Sequence, residues 1–284
     1  MNSLNDLQEQ AENLKNENLI LQKQLAKLNE KLRESEAFKS HFISNITNEI
    51  VNPFTSILGL SKGIISLNEK QIGQIHSMAH LVFNEAFDLD FQLQNIFAAA
   101  KIESGEVNLE LSSICPLEVI VDIIESLRFK SEKKNQYISV DIPVELPYNL
   151  VTDLNKYQLI IKNVITNAII FGHEKTAINV QIKALNDGIQ VTINNKGNLI
   201  EPEEINQIFD RFVKLDKTIN SINQGHGLGL SVTKAYLELL GGDIRVESNL
   251  EKGNTFQLFI PPSSFTNHAL IREDDLFIDD TEIF

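Results

Sequence analysis

Gly225-His226-Gly227-Leu228-Gly229-Leu230 sets three glycines at alternate positions directly ahead of an apolar run expected to be helical over Leu228–Leu240. Residues without a Cβ let main-chain amides close on a ligand, and the start of a helix offers unpaired N–H groups to an anion. The segment reads as a phosphate-binding turn. Upstream, Asn163-Val164-Ile165-Thr166-Asn167-Ala168 falls on a helix expected over Leu154–Phe171. Asn163 and Asn167, four apart, share one face, where their side-chain oxygens can meet Mg²⁺ and phosphate oxygens. Between these two blocks stand Asn195-Lys196-Gly197-Asn198-Leu199 and Ile208-Phe209-Asp210-Arg211-Phe212, and Gly253-Asn254-Thr255-Phe256 follows them.

The surrounding chain alternates short strand-like runs with helices, which predicts an α/β sandwich over residues 107–262. Expected strands are Val107–Leu111, Ile138–Ile142, Ala177–Ala184, Ile189–Asn194, Asp243–Ser248 and Thr255–Ile260. Expected helices, besides the two above, are Leu117–Lys133 and Glu203–Phe209. The acidic tail, 263–284, carries Leu276, Phe277 and Ile278. It reads as a solvated tail or as a docking peptide.

The N-terminal third is helical in pattern. Leu4, Leu7, Ala11, Leu14, Asn18, Leu21, Leu25, Leu28 and Leu32 alternate steps of three and four, the seam of a parallel coiled coil over 1–37. Asn18 at an a position fixes register and favours a dimer. Residues 38–106 predict a helical hairpin, one helix from about Phe38 to Leu67 and a second from about Gln71 to Lys101, pairing across a twofold axis into a four-helix bundle. Its first helix contains Phe42-Ile43-Ser44-Asn45-Ile46-Thr47-Asn48-Glu49-Ile50-Val51-Asn52-Pro53-Phe54, and Pro53 is expected to bend it.

The four blocks of the second half and the closing Gly-x-Thr-Phe, in this order, resemble the ATP-binding domain of sensor histidine kinases, the GHKL-type fold shared with Hsp90, gyrase B and MutL. The resemblance covers about Phe38 to Pro262. It implies ATP and Mg²⁺ as ligands of Asn163, Asn167, Asn195, Gly197, Gly225, Gly227, Leu228, Gly229 and Thr255, with Asn167 on the metal. Where the ATPases place a water-activating Glu, this chain has Asn163, so the pocket is kinase-like. Ile170 stands where the family has a basic residue; His173 and Lys175 are the nearby bases. Leu199 stands where the family has Gly and adds a side chain close to the ligand.

The stretch from Phe42 to Phe54 resembles the family's phosphoacceptor helix, with Asn48 at the position of the acceptor His. An amide nitrogen delocalises its lone pair into the carbonyl and is no nucleophile, so transfer to Asn48 is excluded. Val51 and Asn52 replace the family's Arg and Thr, while Glu49 and Pro53 match. Three readings follow from the resemblance. Glu49 and Asn52 keep the spacing with which the family positions water against a response regulator's aspartyl phosphate. His41, or a His of an active kinase partner, could take the phosphoryl group instead. The dimer could also be a signalling scaffold alone. His76 and His80 are a possible metal pair without a third ligand, or surface residues.

A formal net charge of −14 argues against a nucleic-acid surface. No apolar run nears the roughly 18 residues of a membrane span, which leads to an expected cytoplasmic place. The single Cys115 excludes an internal disulfide.

Overall fold

The computed structural model describes residues 50–141, 149–213 and 227–263, with isolated helical residues between 15 and 29. Of the expected coiled coil, Leu21 and Leu25 are described, helical and exposed. Most of 1–37, together with Asn48, Glu49, His41, Gly225 and the tail beyond Ser263, lies outside the described residues. The chain divides into two compact units, Met1–Ala86 and Phe87–Phe284.

In the first unit, helix α1 spans 50–66 and continues through Pro53. Asn68 starts the return by capping a 3₁₀ turn, Glu69–Gln71, and accepting from the Lys70 amide at 3.1 Å. Helix α2, Ile72–Glu103, follows and contributes its last turns, from Phe87 on, to the second unit. Val51, Phe54 and Leu58 recur at helical spacing on α1 and stay half exposed.

The second unit is an α/β sandwich. Strands β1 (Leu111–Ile114) and β3 (Leu150–Asp153) form an antiparallel pair. Strands β2 (Tyr137–Asp141), β4 (Ala177–Leu185), β5 (Gly188–Asn195), β6 (Asp243–Asn249) and β7 (Gly253–Ile260) form a five-stranded sheet in the order β2-β4-β5-β7-β6. Only β2 and β4 run parallel; every other pair is antiparallel. One face of the sheet carries Ile178, Val180, Ile182, Ile189, Val191, Ile193 and Leu258, all fully buried. Alternation along a strand places such residues on one side. Helices α5 (Leu154–Phe171) and α6 (Gly229–Leu239) cover that face, and α3 (Pro116–Ser126) packs on α5. 

The expected helix over Leu117–Lys133 is broken at Leu127 (φ −96°, ψ 0°) into α3 and α4 (Arg128–Lys133). Leu127 is fully buried, and its anchoring sets the change of direction. The strand expected at Val107–Leu111 begins only at Leu111, where Asp153 provides its partner. Of the helix expected over Glu203–Phe209, only a 3₁₀ turn at Gln207–Phe209 forms.

Candidate nucleotide site

Helix α5 is held at its start by a buried carboxylate. Asp153, 1% exposed, accepts from the Lys156 amide at 3.0 Å, from the Glu110 amide at 2.8 Å and from Lys156 Nζ at 2.6 Å. With that end fixed, Tyr157, Ile160, Ile161, Val164 and Ile165 are buried in the core. Asn163, Asn167 and Ile170 line a cavity of about 560 Å³. This is within the range of sites that take a molecule of nucleotide size.

The glycine-rich turn forms one end. Gly227 has φ +70°, and a Cβ there would stand 2.8 Å from Phe212 Cα, so this close approach requires glycine. Leu228, fully buried, precedes α6 and supplies no side-chain cap. No side chain among the described residues caps α6, and a helix start is a seat for an anion, with the helix dipole in the same sense. Asn163 Nδ2 donates to Gly229 O at 2.9 Å and to Asn95 Oδ1 at 2.8 Å. Asn163 thus ties the turn to α5 and to α2. Asn167 is half-buried, lines the cavity and has no hydrogen-bond partner among the described residues, which leaves its oxygen available to a metal or phosphate.

The other end lies where β5 meets the foot of α5. Gly172 and Gly197 form an isolated bridge, and the His173 amide donates to Lys196 O at 2.6 Å. A Cβ on Gly197 would stand 2.6 Å from Phe171 O. Asn195, 1% exposed, lines the cavity with its Nδ2 unpaired, and Thr166 Oγ1, on a residue 5% exposed, is unpaired as well. Phe171 and Leu199 also line this cavity, and Leu199 does not close it. 

Thr255 is not among the lining residues; its hydroxyl accepts from Asn194 Nδ2 at 2.9 Å. Its neighbour Asn254 lines the cavity instead. Asn254 accepts from Ser248 Oγ at 2.6 Å and donates to Asn198 O at 3.0 Å, so it secures the loop that follows β5. Sequence reading missed Asn254, and it missed the wall that α2 supplies through Phe91, Gln92 and Asn95. The wall is fastened by Lys162, whose Nζ stands 4.4 Å from the Phe87 ring centre and 4.6 Å from that of Phe91. Burial lowers the Lys162 pKa from its ordinary value. 

The described lining carries one base, His173, and one acid, Glu204. His173 hydrogen-bonds Asn198 Oδ1 at 3.1 Å, and Lys175 does not line the cavity. A triphosphate here would rest on main-chain amides and a divalent cation, not on a lysine or arginine from the described lining. In the first unit Asn52 is exposed on α1, and His76 and His80 are exposed on α2. No cluster of three metal-ligating side chains occurs among the described residues.

Residues 152–264 match the family described as histidine kinase-, DNA gyrase B- and HSP90-like ATPase. Residues 152–264 thus carry an ATPase domain of this type. The heme sensor protein HssS of Staphylococcus aureus is 26% identical over 248 residues, covering 86% of this chain and 51% of that protein. The signal transduction histidine-protein kinase BarA of Escherichia coli is 28% identical over 260 residues, covering 90% of this chain and 28% of that protein. The chain therefore spans about half the length of HssS and less of BarA. The histidine kinase ThkA, solved in complex with the response regulator protein TrrA, has the same fold, with a TM-score of 0.53 at 21% identity over 81% of this chain and 64% of that one. The described residues include no helix long and apolar enough to cross a membrane.

Proposed function

We propose that this histidine kinase relative binds Mg²⁺-ATP, does not phosphorylate itself, and regulates or dephosphorylates a response regulator as a homodimer. One observation carries the reading: the cavity keeps open polar groups for a nucleotide while Asn48 replaces the nucleophile. Asn167 would hold Mg²⁺ through its amide oxygen, and the start of α6, at Gly227 and Gly229 on either side of the buried Leu228, would seat the phosphates. Gly225 would extend that seat. At the other end Asn195 would meet the base, with Gly197 letting the loop approach. Asn163 would hold the turn in place.

The regulator chemistry would belong to α1. Glu49, three residues before Asn52, would share its helix face. The Asn52 amide would orient a water for in-line attack on the aspartyl phosphate. The water oxygen bonds to phosphorus, the P–O bond to the aspartate breaks, and free carboxylate and inorganic phosphate result. ThkA's complex with TrrA supports a receiver domain as the partner. The exposed Val51, Phe54 and Leu58 stripe, with Leu21 and Leu25, supports a second copy as the covering surface.

The test uses the full chain. Calorimetric titration with Mg²⁺-ATP should give binding that Asn167→Ala loses. Incubation with a phosphorylated receiver domain should then speed loss of its phosphate, and Asn52→Ala should remove that acceleration. Unchanged dephosphorylation by Asn52→Ala would sink the phosphatase role. The open pocket favours one other reading, phosphorylation of a partner kinase's His in trans: the imidazole nitrogen attacks the γ-phosphorus and ADP leaves. Label on an added active kinase lacking its own ATP site would select it.

A further inference from the structure

Helix α5 ends beside the cavity, and the carbonyls of a helix's last turn are those the helix cannot pair by itself. That turn holds no basic residue, and Gly172 leaves it with an extended backbone. The positive charge at this end comes instead from Lys134, the residue after α4. Its Nζ donates to Ile169 O at 3.0 Å, to Ile170 O at 2.6 Å and to Gly172 O at 2.8 Å. Gln136 adds a second arm, its Nε2 donating to Ile169 O at 3.2 Å and to His173 O at 3.1 Å.

Ile170, Phe171, Gly172 and His173 line the cavity, whereas Lys134 and Gln136 do not. The two side chains therefore grip this wall from behind. On its other side the wall is held by the Gly172–Gly197 bridge and by the His173 amide on Lys196 O. An ammonium suits the place twice over: its hydrogen bonds are charge-assisted, and it stands at the negative end of the α5 dipole.

We propose that Lys134 is a positioning residue of the nucleotide site: from outside the cavity its ammonium holds the wall of residues 170–173 in the place where a nucleotide packs. The proposal rests on the nucleotide reading above. An ammonium has three N–H donors, and here three carbonyls take them, so none is left for a phosphate oxygen. Lys134 thus acts through the wall and not on the ligand. Without it the carbonyls at the foot of α5 lose their charged donor, and Phe171 and His173 lose their fixed place.

The experiment is calorimetric titration of the full chain with Mg²⁺-ATP and with Mg²⁺-ADP, repeated for Lys134→Met and Lys134→Arg, each well below that protein's own thermal transition. Lys134→Met keeps the stem and removes the charge, and it should weaken both nucleotides by the same factor, at least about tenfold. Lys134→Arg, which keeps a charged donor with several N–H bonds, should recover most of that loss. A folded Lys134→Met that binds ATP within about threefold of the parent overturns the proposal and leaves the nucleotide reading standing. A loss confined to ATP, which would make Lys134 a contact of the γ-phosphate, overturns it too, as does an Arg variant no tighter than the Met one. Should Lys134→Met not fold, Gln136→Met removes the second arm and should weaken both nucleotides at least about threefold, and unchanged binding by it overturns the proposal. A parent that binds neither nucleotide removes the nucleotide reading and this one together.

Discussion

The Asn95–Asn163 pair joins α2 to the nucleotide domain through two side chains that are 1% and 2% exposed. Both N–H bonds of Asn163 are used, one on Asn95 Oδ1 at 2.8 Å and one on Gly229 O at 2.9 Å. Asn95 Nδ2 in turn donates to Phe91 O at 3.1 Å. Asn95→Ala strands one buried donor, at a cost of about 1–3 kcal/mol. Asn163→Ala strands the Asn95 oxygen and removes a bond to the turn, at a cost of the same order or more. The double variant strands neither amide against the other, so its loss should fall short of the sum by about 1–2 kcal/mol, inside the range for residues in contact. All four tyrosines (Tyr137, Tyr148, Tyr157 and Tyr236) lie in the second unit and the chain has no tryptophan. Tyrosine fluorescence in urea therefore reports this unit alone. Additivity within about 0.5 kcal/mol would refute the pair as an energetic link.

Gly227→Ala should cost about 1–2 kcal/mol for its left-handed backbone, more as the Phe212 backbone gives way, and should weaken ATP binding in calorimetry. Asp153→Ala leaves Lys156 as an uncompensated buried ammonium and should lower stability in urea by about 3–5 kcal/mol. Asn48→His restores a nucleophile, and incubation with γ-labelled ATP should label this variant and not the parent. If the variant binds ATP and stays unlabelled, the loss of autophosphorylation extends beyond residue 48.

The sheet was legible wherever alternation is clean. In β5, Ile189, Val191 and Ile193 are each fully buried, and the strand departs from expectation by one residue at each end. β3 was missed because four residues, Leu150–Asp153, are too few to display a period; its partner β1 was displaced for the same reason. The break at Leu127 has no Gly or Pro to announce it, since it comes from burial of an ordinary leucine. The Gly-x-Thr-Phe block drew attention to Thr255, but β7 buries Asn254, Phe256, Leu258 and Ile260, so the strand's phase turns Asn254 to the cavity. Asn95 was invisible for a different reason: a lone polar residue in an apolar helix declares its partner only in three dimensions.

The Phe212 amide donates to Gly227 O at 3.0 Å, and both residues are left-handed, with φ of +64° and +70°. The segment 214–226 is thus tied off at a single point, like a handle riveted at both ends to the same plate. Its length is then nearly decoupled from the scaffold, because closing a longer loop costs only about 0.6 kcal/mol per doubling. A longer or shorter stretch between Phe212 and Gly227 would therefore leave the sheet beneath undisturbed.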